Sequence, residues 1–221
     1  MCTPADLEDL AVGFTLSESI VKSARDIGDV RIEKHSRGIE VHVEIPDAAV
    51  DALRDRARGM VSRSGCGLCG VEMIDDALRA VPRVGATLTI TREALYRAGR
   101  ELEGAQAINR ETRAVHGAAW ATSEGAVVIA REDVGRHNAL DKVIGALARL
   151  GREASTGFLV VTSRASYELV QKCAVSGVEL LAAVSRPTAL AVRMAEAAGI
   201  TLVGLLRGNE ATVYTGGRLT R

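Results

Sequence analysis

A chain of 221 residues, 47% hydrophobic and 25% charged, has an ordinary globular composition and is long enough for one large domain or two small ones. Its 28 basic and 28 acidic side chains balance, which excludes a bulk charge aimed at nucleic acid or a membrane surface, and 3% aromatics exclude stacking platforms for single strands. No apolar run approaches the roughly 20 residues of a membrane helix, Met1 to Leu10 lacks the features of a signal peptide, and four cysteines make no disulfide scaffold, so a reduced, cytoplasmic protein is expected.

In chain order, Thr3-Pro4-Ala5-Asp6 reads as a helix start, with Thr3 as cap, Pro4 at the first helical position and Asp6 at capping-box spacing. Leu7, Leu10, Phe14 and Ile20 to Val21 supply its apolar stripe. Val30 to Lys34 and Ile39 to Ile45 read as two strands around Ser36-Arg37-Gly38; in the second, Ile39, Val41, Val43 and Ile45 alternate with Glu40, His42 and Glu44. Pro46-Asp47 opens a short helix with a basic end, Arg54 to Arg58. Ser62 to Gly70 has no periodicity and is a glycine-rich loop, with a possible helix over Val71 to Ala80.

Beyond it the chain alternates. Helices are predicted over Thr91–Leu102, His137–Leu150, Ala165–Ser176 and Pro187–Ala198, the last ending at Gly199 as C-cap. Strands are predicted over Ala114–Ala121, Ala126–Arg131, Phe158–Thr162, Glu179–Val184, Thr201–Leu206 and Ala211–Thr215. Strand-helix repeats with short connections imply crossovers onto a largely parallel sheet. The expected architecture is α/β, with an N-terminal α+β portion over 1–84 that includes the cysteine loop, and a three-layer α/β/α domain over 85–221.

The most informative stretch is Gly65-Cys66-Gly67-Leu68-Cys69-Gly70. A cysteine acts as a nucleophile only as thiolate, and a nearby cation such as Arg63 or a helix N-terminus favours that form. The flanking glycines let a bulky partner approach the sulfur. The pair alone leaves several readings open. Structural zinc wants four ligands, and this chain has one such cysteine pair and four scattered histidines, His35, His42, His116 and His137. A thioredoxin-like dithiol belongs after a first strand of a βαβ unit, which does not match; sulfur chemistry and inert cysteines remain.

Arg131 to Asn138 crowds functional groups, Asp133 and His137 among them, between a strand and a helix, where open α/β sheets commonly bind ligands. Asp133 as a turn cap and His137 as the start of a solvated helix are the plainer readings of each residue taken singly. With Lys142 a turn later, the group suggests an anion or nucleotide contact. Ser163 and Arg164 follow the next strand as a candidate phosphate site, with ordinary N-capping by Ser163 as the alternative. Ser185-Arg186-Pro187-Thr188 repeats the arrangement, and Leu205-Leu206-Arg207-Gly208-Asn209-Glu210 closes the following strand. No P-loop or Rossmann glycine pattern is present.

Taken together, Thr3-Pro4, the Gly65–Gly70 hexad, Glu132–Lys142, Ser163–Lys172, Pro187-Thr188 and Leu202–Gly204 closely resemble the FdhD family of formate dehydrogenase accessory proteins, along nearly the whole chain. The resemblance implies a cytidine deaminase-like fold, a homodimer, and a sulfurtransferase. Cys66 would carry a persulfide received from a cysteine desulfurase, with Cys69 as its helper. The recipient would be bis-molybdopterin guanine dinucleotide destined for formate dehydrogenase, held by Leu205 to Glu210, with a GDP-like nucleotide as partial ligand. No permanent metal is implied; a zinc-bound scaffold that does not transfer sulfur is the alternative. Zinc deaminases of this fold need a histidine two residues before a glutamate. Here His116 is followed by Gly117-Ala118, which argues against deamination. The chain departs from the family in lacking a further stretch before Thr3-Pro4, and at Thr112-Arg113, where related chains often have glycine after the threonine.

Overall fold

The computed structural model describes residues 1–61 and 81–220, with the backbone alone for 55–61. The Cys-Gly-Leu-Cys loop and the helix expected over Val71 to Ala80 lie outside the described residues. The first helix, α1 (Leu7–Ser17), leads to a hairpin of β1 (Val30–His35) and β2 (Gly38–Val43), and then to α2 (Asp47–Val61). The remaining elements are β3 (Ile90–Thr91), α3 (Arg92–Ala105), α4 (Ala107–Thr112), β4 (His116–Thr122), β5 (Val127–Asp133) and α5 (Arg136–Arg149). They continue with β6 (Gly157–Val161), α6 (Tyr167–Val175), β7 (Leu180–Ala183), α7 (Ala189–Ala198), β8 (Thr201–Arg207), β9 (Glu210–Thr215) and β10 (Leu219–Thr220). No helix among the described residues is long and apolar enough to cross a membrane.

Six strands form one sheet in the order β5-β4-β6-β7-β8-β9. It is more mixed than the strand-helix rhythm predicts. Only the β6–β7 and β7–β8 pairings are parallel, while β4 runs antiparallel to both its neighbours and β9 runs antiparallel to β8. The reason is local: β4 joins β5 through Ser123-Glu124-Gly125, with Gly125 at φ 82, and β8 joins β9 through Gly208, at φ 54. Hairpin turns of this kind reverse direction and need no crossover helix.

The strands Phe158–Val161 and Leu180–Ala183 are wholly buried, because helices cover both faces. On one face Trp120, Leu159, Val161 and Leu181 pack with Leu140, Val143 and Leu147 of α5 and with residues of α6 and α7. On the other, Ala119, Phe158, Val160, Leu180 and Val203 pack with Leu95, Ala98 and Leu102 of α3. The result is a three-layer α/β/α sandwich. Trp120 donates its indole N–H to the Ala154 carbonyl at 3.2 Å and lies under the Arg152 guanidinium, 5.9 Å from the ring centre.

Helix α1, assigned by sequence to the N-terminal portion, packs across the 84/85 division onto α5. At Gly13 a Cβ would stand 1.7 Å from the Asp141 carbonyl oxygen, and at Gly145 one would stand 1.9 Å from that of Asp9. The two backbones therefore touch, and α5, flanked by α1 and the sheet, is buried continuously from Ala139 to Leu147. It is no solvated helix. A buried network spans the same contact: Lys172 Nζ donates to Ser17 Oγ (2.9 Å), Glu18 Oε1 (2.7 Å) and Asp141 Oδ2 (3.0 Å).

Several sequence expectations are corrected. Thr3 does not cap α1; Asp6 occupies that position in a left-handed conformation (φ 52) without a side-chain cap bond. Thr3 is drawn away by the end of β5, where its N–H donates to Asp133 Oδ2 at 2.9 Å and its hydroxyl accepts from the Val134 N–H at 3.1 Å. The six-residue helix α4 and the two-residue parallel pair β3–β10 were not anticipated. Gly199 ends α7 in the left-handed conformation as expected, at φ 74.

The residue after Thr112 stands where the backbone suits glycine. Arg113 closes α4 at φ 54, ψ 23. A side chain in that region costs about 1–2 kcal/mol, partly offset by glycine's larger entropy when unfolded. Arg113→Gly is expected to stabilise the protein by about 0.5–1 kcal/mol, read as a thermal midpoint raised by roughly 1–4 °C. An unchanged or lower midpoint would mean that the arginine makes compensating contacts.

Candidate functional site

The carboxyl ends of β5, β6, β7 and β8 open on one end of the sheet, and the amino end of β4 joins them because that strand runs the other way. His116 sits opposite Asp133 across β4–β5. The Thr162 hydroxyl accepts from the Gly117 N–H at 2.9 Å, tying β4 to the β6 end. At this end lie the residues singled out in the second domain.

Asp133 is fully buried and fully engaged. Its Oδ1 accepts from the Gly135 N–H (2.8 Å) and Asn138 Nδ2 (3.0 Å), and its Oδ2 accepts from Thr3 and pairs with Lys142 Nζ at 2.7 Å. Burial pushes this carboxyl up. Hydrogen bonds from Lys142, Gly135 and Asn138 outweigh that, and it lies below the usual aspartate range. Lys142 also donates to the carbonyls of Thr3 and Glu132, each at 3.1 Å. Glu132 in turn accepts from the N–H groups of Ile108 and Asn109, both 2.8 Å, at the start of α4. These three charged residues fasten the N-terminus, α4 and α5 to the strand end, with their polar atoms turned inward.

His137 behaves differently. Its Nε2 lies 3.9 Å from Glu168 Oε2, an ion-pair distance too long for a hydrogen bond. Among the described residues both atoms are buried without a hydrogen-bond partner, as are Arg136 Nε and Ser166 Oγ. Burial, then the neighbouring Arg136, holds the His137 imidazole below the ordinary histidine value; the same two causes act on His116. Burial raises the Glu168 carboxyl, but the nearby Ser166 hydroxyl, its own backbone amide, His137 and Arg136 leave it below the usual range. Unsatisfied buried polar atoms are uncommon, which makes this cluster at the strand ends the candidate site. Sequence reading singled out His137 here but not Arg136, Ser166 or Glu168. The available signal was their shared place, in the first turn or cap of α5 and α6, which follow the two strands that flank β4.

Ser163 is buried, donating to the Arg164 carbonyl at 3.1 Å, and is not the helix cap; Ser166 holds that position. Arg164, Arg186 and Arg207 are exposed after β6, after β7 and at the end of β8. Among the described residues none of the three pairs with a carboxylate. In the last segment, Leu206 is buried against α3, while Arg207, Gly208, Asn209 and Glu210 are exposed in the β8–β9 turn. Arg100 Nη1 donates to Asn209 Oδ1 at 3.1 Å. Leu205 takes φ 56, a left-handed conformation rare for leucine, within a register irregularity between Gly204 and Arg207.

The structure thus brings His137, Ser163 and Arg164 to one stretch of the sheet end, and places Leu205 to Glu210 two strands along, about 10 Å away at ordinary strand spacing. Cys66 and Cys69 lie outside the described residues. Of the other cysteines, Cys2 is exposed and Cys173 is buried, with its thiol pushed far above the ordinary value by burial, so Cys173 is inert as a nucleophile. The histidines fall into two pairs: His116 and His137 beside Arg136, and His35 and His42 on the β1–β2 hairpin.

The chain is similar along nearly its whole length to known proteins. The chain is 47% identical over 215 residues to the sulfur carrier protein FdhD of Bordetella petrii, covering 97% of this chain and 77% of that one. It is 51% identical to the sulfur carrier protein FdhD of Xanthomonas euvesicatoria pv. vesicatoria, covering 97% and 76%. The crystal structure of a protein assigned as a formate dehydrogenase accessory protein from Desulfotalea psychrophila superposes with a TM-score of 0.74 at 26% identity, covering all of this chain and 82% of that one. The model of the FdhD/NarQ family matches residues 1–220, and the chain belongs to that family.

Proposed function

We propose that this protein is a sulfur carrier serving formate dehydrogenase. Cys66 receives sulfur from a cysteine desulfurase and delivers it to bis-molybdopterin guanine dinucleotide, with Cys69 as its helper. In the loading step the Cys66 thiolate attacks the sulfane sulfur of the donor's persulfide. One S–S bond forms as another breaks, the donor cysteine leaves as thiolate, and no net oxidation occurs. The family supports the carrier role, since its curated members are sulfur carrier proteins.

The observation that carries the choice of recipient is the run of three arginines, Arg164, Arg186 and Arg207, at successive strand ends. A pterin dinucleotide presents several phosphates, and guanidinium groups suit phosphate oxygens. Leu205, held left-handed beside Arg207, fits a segment whose backbone is shaped for a ligand. His137 with Glu168, and Leu205 to Glu210, flank the same end, so an extended ligand would reach both. A GDP-like nucleotide serves as the partial ligand. A homodimer is part of the same reading.

The test is the intact mass of the full chain after incubation with a cysteine desulfurase and cysteine. Wild type is expected to gain one sulfur atom, and Cys66→Ala none. A folded wild type that gains nothing would refute the relay. Zinc held by the cysteine pair would favour a scaffold that does not transfer sulfur.

A further inference from the structure

We propose that the solvent-facing side of the β1–β2 hairpin binds an exchangeable divalent transition-metal ion of the zinc class through Glu33, His35 and Glu40, with His42 beside the two glutamates. The two strands carry the same short pattern, Glu33-Lys34-His35 and Glu40-Val41-His42. Alternation along a strand puts each glutamate and its histidine on one face. The register sets Glu33 directly opposite Glu40 and His42 opposite Arg31.

That register is pinned by the other face. Val30 pairs with Val43 and Ile32 with Val41, and Val41 and Val43 line an apolar cleft with Leu10 and Phe14 of α1. A one-residue slip would turn Val41 and Val43 out of that cleft, which favours the register that holds the two glutamates opposite each other. Two carboxylates directly across an antiparallel pair repel each other. The one cationic side chain of that face, Arg31, is engaged with Asp29 at 3.7 Å.

The distances suit a metal. His42 Nε2 lies 3.4 Å from Glu40 Oε2 and 4.0 Å from Glu33 Oε2, and His35 Nε2 lies 3.7 Å from Glu40 Oε2. Donor atoms of Glu33, His35 and Glu40 all fall within 4.8 Å of one another. Tetrahedral zinc, with bonds of about 2.0–2.2 Å, sets its donors roughly 3.3–3.6 Å apart, so Glu33, His35 and Glu40 would have to draw together around an ion, with water completing its shell. An imidazole and two carboxylates, with a second imidazole beside them, favour zinc, nickel or copper over calcium or magnesium, which seek all-oxygen shells. The four side chains are about half exposed, which suits an exchangeable ion better than a permanent one.

The cysteine pair could also take zinc, so the experiment removes it. Zinc is titrated calorimetrically into full-length protein carrying Cys66→Ser and Cys69→Ser, and into the same protein with His35→Gln and His42→Gln added. One equivalent is expected to bind the first, with at least about tenfold weaker binding to the second, and magnesium should bind neither. No saturable zinc binding by the first protein overturns the proposal, as does unchanged affinity in the second. Circular dichroism checks that the exposed substitutions leave the fold intact. Should the histidine variant misfold, Glu33→Gln with Glu40→Gln replaces it under the same two criteria.

Discussion

Gly145→Ala is expected to destabilise the protein by at least about 3 kcal/mol, lowering the thermal midpoint by roughly 6–12 °C. The added methyl would stand 1.9 Å from the Asp9 carbonyl oxygen, and the atom it meets is backbone, which cannot rotate aside. Relief requires α1 to move off α5. That movement strains the Arg131 and Arg149 contacts to Asp9, at 2.7 and 2.6 Å, and the Lys172 network beneath. Gly13→Ala should behave alike, since its methyl meets the Asp141 carbonyl at 1.7 Å. Gly104→Ala provides the contrast. It lies in α3 with nothing within 4 Å of the new methyl, and the helix should gain up to about 1 kcal/mol. Thermal melts of the three variants read the difference; an unperturbed Gly145→Ala midpoint would mean that the helices are not in backbone contact.

Lys142→Met is expected to cost about 3–5 kcal/mol, because it leaves the Asp133 carboxylate buried beside carbonyls that have lost their donor. Both side chains of the pair are wholly inaccessible. The loss should depend on acidity. In the native protein the Asp133 carboxyl lies below its unfolded value, so the stability it contributes is present above the ordinary aspartate pKa and is lost as pH falls through the folded value. Without Lys142, the largest influence holding that carboxyl down is gone and it rises from its native value, so protonating it costs the variant less stability than it costs wild type. The gap between variant and wild type should therefore narrow as pH is lowered from neutrality toward about 4. Adding Asp133→Asn should recover part of the loss at neutral pH. Urea denaturation across that range measures all three; a pH-independent gap would remove Asp133 as the cause.

The same two contacts mark what could and could not be read from the chain. Phe158–Val161 and Leu180–Val184 are short apolar runs between turn signals, which identify buried strands without any tertiary information. The Ser123-Glu124-Gly125 turn is too short for a crossover helix, but nothing in it says that β4 would dock antiparallel to β6. That choice lies in long-range packing, and with it the mixed direction of the sheet. Elements of two to six residues, such as β3, β10 and α4, are too short to carry a period. In the site, residue type was legible and orientation was not. Asp133 and His137 stand four residues apart, yet one turns inward onto Lys142 and the other toward Glu168. Thr3, with good capping chemistry, is taken by a partner 130 positions away.

Trp120, the chain's only tryptophan, has an optical consequence. Its indole is buried in mid-sheet and hydrogen-bonded toward Ala154, at the end of the sheet opposite the arginine-bearing strand termini. Indole emission, excited selectively beyond tyrosine absorption, therefore has a single origin, the layer between the sheet and α5. A denaturation curve followed by that light registers the parting of the central sandwich and is silent about fraying of the β1–β2 hairpin. Circular dichroism, which sums over every peptide group, includes the hairpin. Where the two curves coincide the chain opens as one cooperative unit, and any gap between them measures how independently the hairpin melts.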